Sequence, residues 1–182
     1  MGTKDQVINQ LHETEPRWFA VGTRSKCEKI VQQTLAKKRV HAYVPLVKSV
    51  KKYLRKIRHV EKPLIGCYVF VRITKEEYVR VLETENITGF VRFSKNLIAI
   101  PEEEITVLKK IVMESDIELE ILAGTVYPGD PVIIAAGPLT GLQGKVVKVE
   151  GKRKFQVELE RLGYSLLITI DAQFVQKTGG VF

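Results

Sequence analysis

The order of apolar and polar positions divides this chain into two grammars. Up to about residue 113, runs that alternate every second residue are interleaved with runs whose apolar positions recur every three or four residues, the signatures of strands and helices. RWFAVGT, starting at Arg17, predicts a first strand. Ser25 and Glu28 have the spacing of a capping box, which predicts a helix running to about Arg39 with Cys27, Ile30, Val31 and Leu35 on its apolar stripe. Residues 43–47 read as a second strand. EKPLIGCYVFVRI, residues 61–73, predicts a central strand. Its alternation sets Tyr68, Phe70 and Arg72 on one face and Cys67, Val69, Val71 and Ile73 on the other. Thr74 and Glu77 repeat the capping-box spacing ahead of a helix carrying Tyr78, Val81 and Leu82. Residues 90–93 and 97–100 predict a short hairpin around Ser94-Lys95-Asn96. Pro101 suits the first turn of a third helix, with Glu102, Glu103 and Glu104 at its positive end and Ile105, Leu108, Ile111 and Val112 as its stripe.

The succession strand, helix, strand, strand, helix, strand is that of a split βαβ unit, an α+β fold with an antiparallel sheet and helices on one face. Residues 1–16 are expected to be a flexible lead-in, 17–113 the first domain, and 114–123 an acidic, partly extended linker. From Gly124 glycines and short β-rich runs alternate, at 131–135, 145–149, 155–160, 164–170 and 174–176. That pattern predicts a small SH3-like β-barrel over 124–178.

Composition changes little in this picture. The 182 residues are 45% hydrophobic and 27% charged, an ordinary globular balance. No run of about 18 apolar residues could span a membrane. The polar start MGTKDQ lacks the apolar core of a signal peptide, and Gln6 stands where a myristoylation motif has Ser or Thr. Cys27 and Cys67 form no CxxC pair, so neither a disulfide framework nor a zinc site is expected, and the setting is expected to be cytoplasmic.

Charge is more informative. The formal net charge is +8, but residues 1–113 carry +10, residues 114–123 carry −4 and residues 124–182 carry +2. Seven Lys and Arg and one Glu fall between Lys48 and Lys62, which predicts a protruding hairpin or mobile loop. Such a segment suits a polyanion such as nucleic acid; equally, its charges serve to prevent edge-to-edge strand pairing. If helices cover only the aliphatic face of the central strand, Tyr68 and Phe70 form an apolar patch that suggests a partner. The alternative is that both rings are core.

No catalytic constellation is present. His12, His41 and His59 are scattered, Ser49-x-x-Lys52 lacks any accompanying motif, and neither a phosphate-binding loop nor a GxGxxG occurs. The expectation is a non-enzyme without cofactor or metal. Gly141-Leu142-Gln143-Gly144 matches the GxxG of a KH loop, but it follows Gly137-Pro138-Leu139 and precedes a strand instead of joining two helices. It reads as a β-barrel turn.

That turn resembles the KOW motif: Gly129-Asp130-Pro131-Val132-Ile133-Ile134, then Gly137-Pro138-Leu139, Gly141 and Gly144-Lys145-Val146-Val147. The front half resembles the NusG N-terminal (NGN) domain through Trp18-Phe19-Ala20-Val21, Tyr43-Val44-Pro45, Pro63-Leu64, Tyr68-Val69-Phe70-Val71 and Gly89-Phe90-Val91. Together the two cover about residues 17–177, and the chain resembles NusG-like transcription elongation factors. The usual Pro-Gly-Tyr before the strand is Gly66-Cys67-Tyr68 here, and the usual Phe-Gly-Arg is Leu162-Gly163-Tyr164. The Glu61-x-Pro63-Leu64 lead-in and the basic segment look more like the specialised RfaH and UpxY paralogues.

The resemblance implies docking on the clamp helices of RNA polymerase through Trp18, Leu64, Ile65, Tyr68, Phe70, Val81 and Leu82. Arg24, Lys26 and Lys29 would face non-template DNA, and Lys51, Lys52, Arg55, Lys56 and Arg58 would add to that or touch nascent RNA. The implied activity is processive antitermination by a monomer, with Rho or a ribosomal protein as partners of the barrel in relatives. A single-stranded RNA binder of the RRM kind, using Tyr68 and Phe70 as stacking rings, and a KOW-containing ribosomal or assembly protein are the alternatives.

Overall fold

The computed structural model describes residues 7–53, 56–114, 119–123, 129–136, 139–149, 152–159, 164–169 and 172–178. The chain divides into two compact units, Met1–Glu102 and Glu103–Phe182. The fold is mixed α+β, with antiparallel sheets, few helices and a β-rich second unit.

In the first unit, β1 (Arg17–Thr23) leads to α1 (Glu28–Lys37) and β2 (His41–Tyr43). A hairpin of β3 (Leu46–Tyr53) and β4 (Lys56–Pro63) follows, then β5 (Tyr68–Ile73), α2 (Tyr78–Leu82) and β6 (Ile87–Phe90). Among the described residues the hairpin pairs only with itself; the other strands of this unit lie in the order β2-β5-β1-β6. β5 runs antiparallel to both β1 and β2 and separates them, which is the split that the sequence order predicted. The expected strand over 43–47 is in fact two, because the chain leaves the main sheet after Tyr43 and enters the hairpin at Leu46, with Pro45 between.

The register of β1 on β5 decides which side chains share a face. Phe19 opposes Val71 and Val21 opposes Val69; these pack with Val31 and Leu35 of α1 and Val81 of α2 in one apolar core. Phe90 meets Phe19 edge-on and stacks on Tyr78 with ring centroids 4.5 Å apart. α1 ends in a Schellman motif, with Val40 N–H donating to Leu35 O and Arg39 N–H to Ala36 O, although the left-handed position is Arg39 (φ 59°) and not glycine. Lys38 Nζ then donates to the Arg80 carbonyl and to Thr84 Oγ1, placing a cation at the carbonyl end of α2.

Three expectations are corrected. Ser25 does not cap α1: the helix begins at Glu28 with Cys27 as the cap residue and no side-chain capping bond. Ile30 is not on the buried stripe but 55% exposed, because only Val31 and Leu35 of that set face the sheet fully. The lead-in is not frayed from Ile8 onward. Leu97 N–H donates to Ile8 O, Gln10 N–H to Leu97 O, Ile8 N–H to Asn96 Oδ1 and Ala99 N–H to Gln10 Oε1, so a parallel bridge fastens this arm to residues 96–99. The second capping box does form: Glu77 accepts from Thr74 N–H at 3.0 Å, opening a 3-10 turn that runs into α2.

In the second unit α3 (Glu102–Met113) buries Ile105, Leu108 and Ile111, the stripe that its spacing predicted. The helix extends from the division at Glu102 into this unit, where Lys110 Nζ donates to Thr140 O. The strands are β7 (Leu119–Ala123), β8 (Asp130–Ile134), β9 (Gln143–Val149), β10 (Lys152–Leu159), β11 (Tyr164–Ile168) and β12 (Val175–Lys177). They form one antiparallel sheet in the order β12-β8-β9-β10-β11-β7. The segment expected to be a linker therefore supplies a strand: Leu119–Ala123 pairs along Tyr164–Ile168. Gly137 and Pro138 lie outside the described residues. Gly141 has φ +87°, where a side chain would be strained, and a Cβ on Gly144 would sit 2.3 Å from the Gln156 carbonyl oxygen, so only Gly144 is excluded from carrying one by a neighbour.

Leu35→Ala should destabilise the first unit by about 2–5 kcal/mol, the usual cost of a buried leucine, while Ile30→Ala should shift it by no more than about 0.5 kcal/mol. Urea denaturation followed by far-UV circular dichroism checks the pair.

Candidate functional site

The face of the sheet opposite α1 and α2 collects the aromatic residues that the sequence singled out. Antiparallel pairing sets Trp18 beside Arg72, Ala20 beside Phe70 and Gly22 beside Tyr68, with His41 and Tyr43 of β2 on the same face. Trp18 and His41 have ring centroids 5.1 Å apart, and Tyr43 and Phe70 6.4 Å. Trp18 Nε1 donates to Glu102 Oε2 at 2.7 Å, which satisfies the only polar atom of a nearly sealed indole.

The open apolar patch expected here is absent. Trp18 is 2% exposed, and Leu64, Ile65 and Phe70 are buried as well. β5 buries Val69, Phe70, Val71 and Ile73, while Tyr68 at its head is half-buried and Arg72 is exposed. Val81 is on the other side of the sheet, in the core beneath α2. Leu82, 43% exposed, is on α2 too and is not brought together with Tyr68. Of the seven expected docking residues, Tyr68 alone is both on this face and half-buried.

Beside Tyr68 there is a hollow of about 350 Å³, lined by Gly22, Thr23, Cys67, Tyr68, Thr88, Gly89, Phe90 and Val91. Its rim is built at the head of β5. Cys67 holds φ +63°, a left-handed conformation that costs a non-glycine residue about 1–2 kcal/mol. Two hydrogen bonds hold it there: its N–H donates to Glu28 Oε1 at 2.6 Å, and its carbonyl accepts from Thr23 N–H at 2.9 Å. Glu28 is buried, so its carboxylate braces the head of β5 instead of completing the expected helix cap. Thr23 is 5% exposed and its Oγ1 has no hydrogen-bond partner. No local pattern signals this brace, because its two partners are 39 residues apart in sequence.

The basic residues fall in two places. Arg24 and Lys26 are exposed just beyond β1, and Lys29 pairs with Glu61 at 3.4 Å. In the hairpin, Lys51 pairs in register with Arg58, Lys52 with Ile57, and Tyr53 with Lys56 near the tip. Arg55 lies outside the described residues, as do the side chains of Lys51, Lys52, Lys56 and Arg58. Among the described residues there is no cluster of metal-ligating side chains and no helix long and apolar enough to cross a membrane.

Residues 16–109 match the family model described as transcription termination factor nusG. The solved structure described as "Domain interaction in Thermotoga maritima NusG" aligns with a TM-score of 0.52 and 20% identity, over 91% of this chain and 98% of that one. Two structures of the MjSpt4:Spt5 complex, conformations A and B, align with TM-scores of 0.31 and 0.32 at 22% identity, over 88% of this chain and 97% and 95% of theirs. The match to that family model makes this a protein of a transcription-factor family. The family match covers more than half of the chain, and the chain belongs to the NusG family.

Burial pushes the Tyr43 phenol up from its ordinary value near 10 to about 12. Between those values the unfolded chain has lost the proton that the folded chain retains, so stability should fall as pH rises through that window. Alkaline denaturation of Tyr43→Phe should lose that part of the slope while keeping the rest.

Proposed function

We propose that this protein binds RNA polymerase during elongation through the Tyr68 end of β5 and suppresses pausing and termination. The observation that carries the reading is the hollow beside a half-buried Tyr68, in a chain of the NusG family. The clamp helices of the polymerase are the proposed occupant, as the resemblance implies. Trp18, Leu64, Ile65 and Phe70, all buried, would act as the packed support of that end of the strand. Val81 and Leu82, on the helix side, are left out of the proposed contact.

The basic hairpin is the proposed nucleic-acid element, with Arg24 and Lys26 as a second contact to non-template DNA. Its paired strands present Lys51 opposite Arg58. Phosphate contacts of this kind are sequence-independent and weaken steeply with salt. No bond is made or broken by the protein in this mechanism; it favours the active elongation complex by binding it better than the paused one. The NGN and KOW domains of the sequence reading correspond to 17–113 and 124–178, with the structural division at 102/103. We further infer an operon-specific role, supported by the basic hairpin and by the Glu61-x-Pro63-Leu64 lead-in. Rho or a ribosomal protein is the proposed class of partner for the KOW domain. Direct RNA stacking in the RRM manner is disfavoured, because Phe70 is sealed.

In a pull-down with core polymerase, Tyr68→Ala should weaken binding by about 2 kcal/mol, the scale of an interface hot spot. Normal binding by that variant would remove the docking claim. Reversing Lys51, Lys52 and Arg58 to Glu should leave core-polymerase binding intact, yet reduce read-through of a terminator and flatten the salt dependence of binding to an assembled elongation complex.

A further inference from the structure

We propose that Glu28 is a positioning residue for polymerase docking, acting through the Cys67 amide to hold Tyr68 at the rim of the hollow. The inference rests on the docking reading above. Glu28 opens α1 and is 5% exposed, and its Oε1 accepts from Cys67 N–H at 2.6 Å across 39 residues of sequence. A carboxylate is costly to bury and is kept where it makes a strong bond; this one goes to the residue directly before Tyr68. Cys67 has φ +63°, a conformation disfavoured for a non-glycine residue by about ten-fold. Thr23 N–H donates to the Cys67 carbonyl at 2.9 Å, so the two bonds together fix both peptide groups that flank the Cys67 Cα.

Those peptide groups set the direction in which the Tyr68 side chain leaves the strand. The residues around them add little. Gly66 precedes Cys67, and a Cβ built on it would meet nothing within 4 Å. Gly22 stands opposite Tyr68 in the ladder and brings no side chain against its ring. The backbone at Cys67 is the support that these two glycines do not supply. Without the Glu28 bond, Cys67 relaxes toward ordinary angles and carries the ring off the rim. Only molecules with the ring in place can dock, so apparent affinity falls by that fraction. A glycine at position 67 would take left-handed angles freely and would not need the brace. The contribution of Glu28 therefore depends on what stands at position 67.

The test titrates the full chain against core polymerase. Glu28→Asp keeps the charge but is one methylene too short to reach the amide; Glu28→Gln loses the charge but keeps an oxygen in reach. Glu28→Asp should weaken docking by about ten-fold and Glu28→Gln by no more than about three-fold. Made in a Cys67→Gly chain, the same Glu28→Asp change should cost no more than about two-fold. Equal losses in both backgrounds, as a fault in folding would give, overturn the proposal. So does Glu28→Asp binding like the parent chain, or Glu28→Gln losing as much as Glu28→Asp. Positioning is also read without polymerase, from the NMR signals of the Tyr68 ring, identified by their loss in Tyr68→Phe. They should move in Glu28→Asp and stay in place when that change is made in the Cys67→Gly chain. Ring signals unmoved by Glu28→Asp refute the positioning role, whereas normal docking by Tyr68→Ala refutes the docking reading alone.

Discussion

The antiparallel pairing of β1 with β5 is the constraint on which the first unit depends. Six residue pairs in register, from Arg17–Ile73 to Gly22–Tyr68, assign every side chain of the two central strands to a face. A slip of one residue would send Phe70 toward the helices and Val69 away from them. That slip is resisted from both sides, since Phe19, Val21, Val69 and Val71 are buried beneath α1 and α2 while Trp18, Ala20 and Phe70 are buried on the reverse. The end of the pairing is braced by Glu28, a charged group placed where the strand must turn sharply into register. The site and the core are therefore one piece of construction: what fixes Tyr68 at the rim of the hollow is the same ladder that fixes Phe70 out of reach.

Much of this was legible in the sequence because local pattern and tertiary structure agree there. Period-two alternation located β1 and β5, three-to-four spacing located α1 and α3, and the Thr74–Glu77 capping box opens the turn it was read to open. The failures have separate physical causes. Alternation tells which residues share a face but not whether that face is covered, so Phe70 could be read as patch or as core, and only burial decides. Glu28 sits at capping-box spacing from Ser25, yet a long-range partner, the Cys67 amide, takes its carboxylate. The segment 114–123 looked like a linker because of its acids, and this charge outweighed the Leu119, Ile121, Ala123 alternation that marks the β7 strand.

The amino-terminal arm misled for the opposite reason. Its composition is polar, which usually marks a segment that water satisfies. Here the polar side chains are the fastenings: Asn96 and Gln10 each accept a backbone N–H across more than eighty residues of sequence. His12 works locally in the same way, its Nδ1 accepting from the N–H groups of Thr14 and Glu15. Side chain to backbone bonds of this kind carry no periodic signature, so pattern reading passes over them.

The β3–β4 hairpin is a long two-stranded ladder. Eight paired positions, from Leu46–Pro63 at the base to Tyr53–Lys56, give a ladder about 24 Å long at ordinary strand rise. At physiological ionic strength that is about three screening lengths, so charge at the far end is electrically decoupled from Glu61 at its root. Lys29 and Glu61 can neutralise one another near the base without dimming the far end. A ladder of that length keeps the basic far end of the hairpin electrically separate from the Lys29–Glu61 pair at its base.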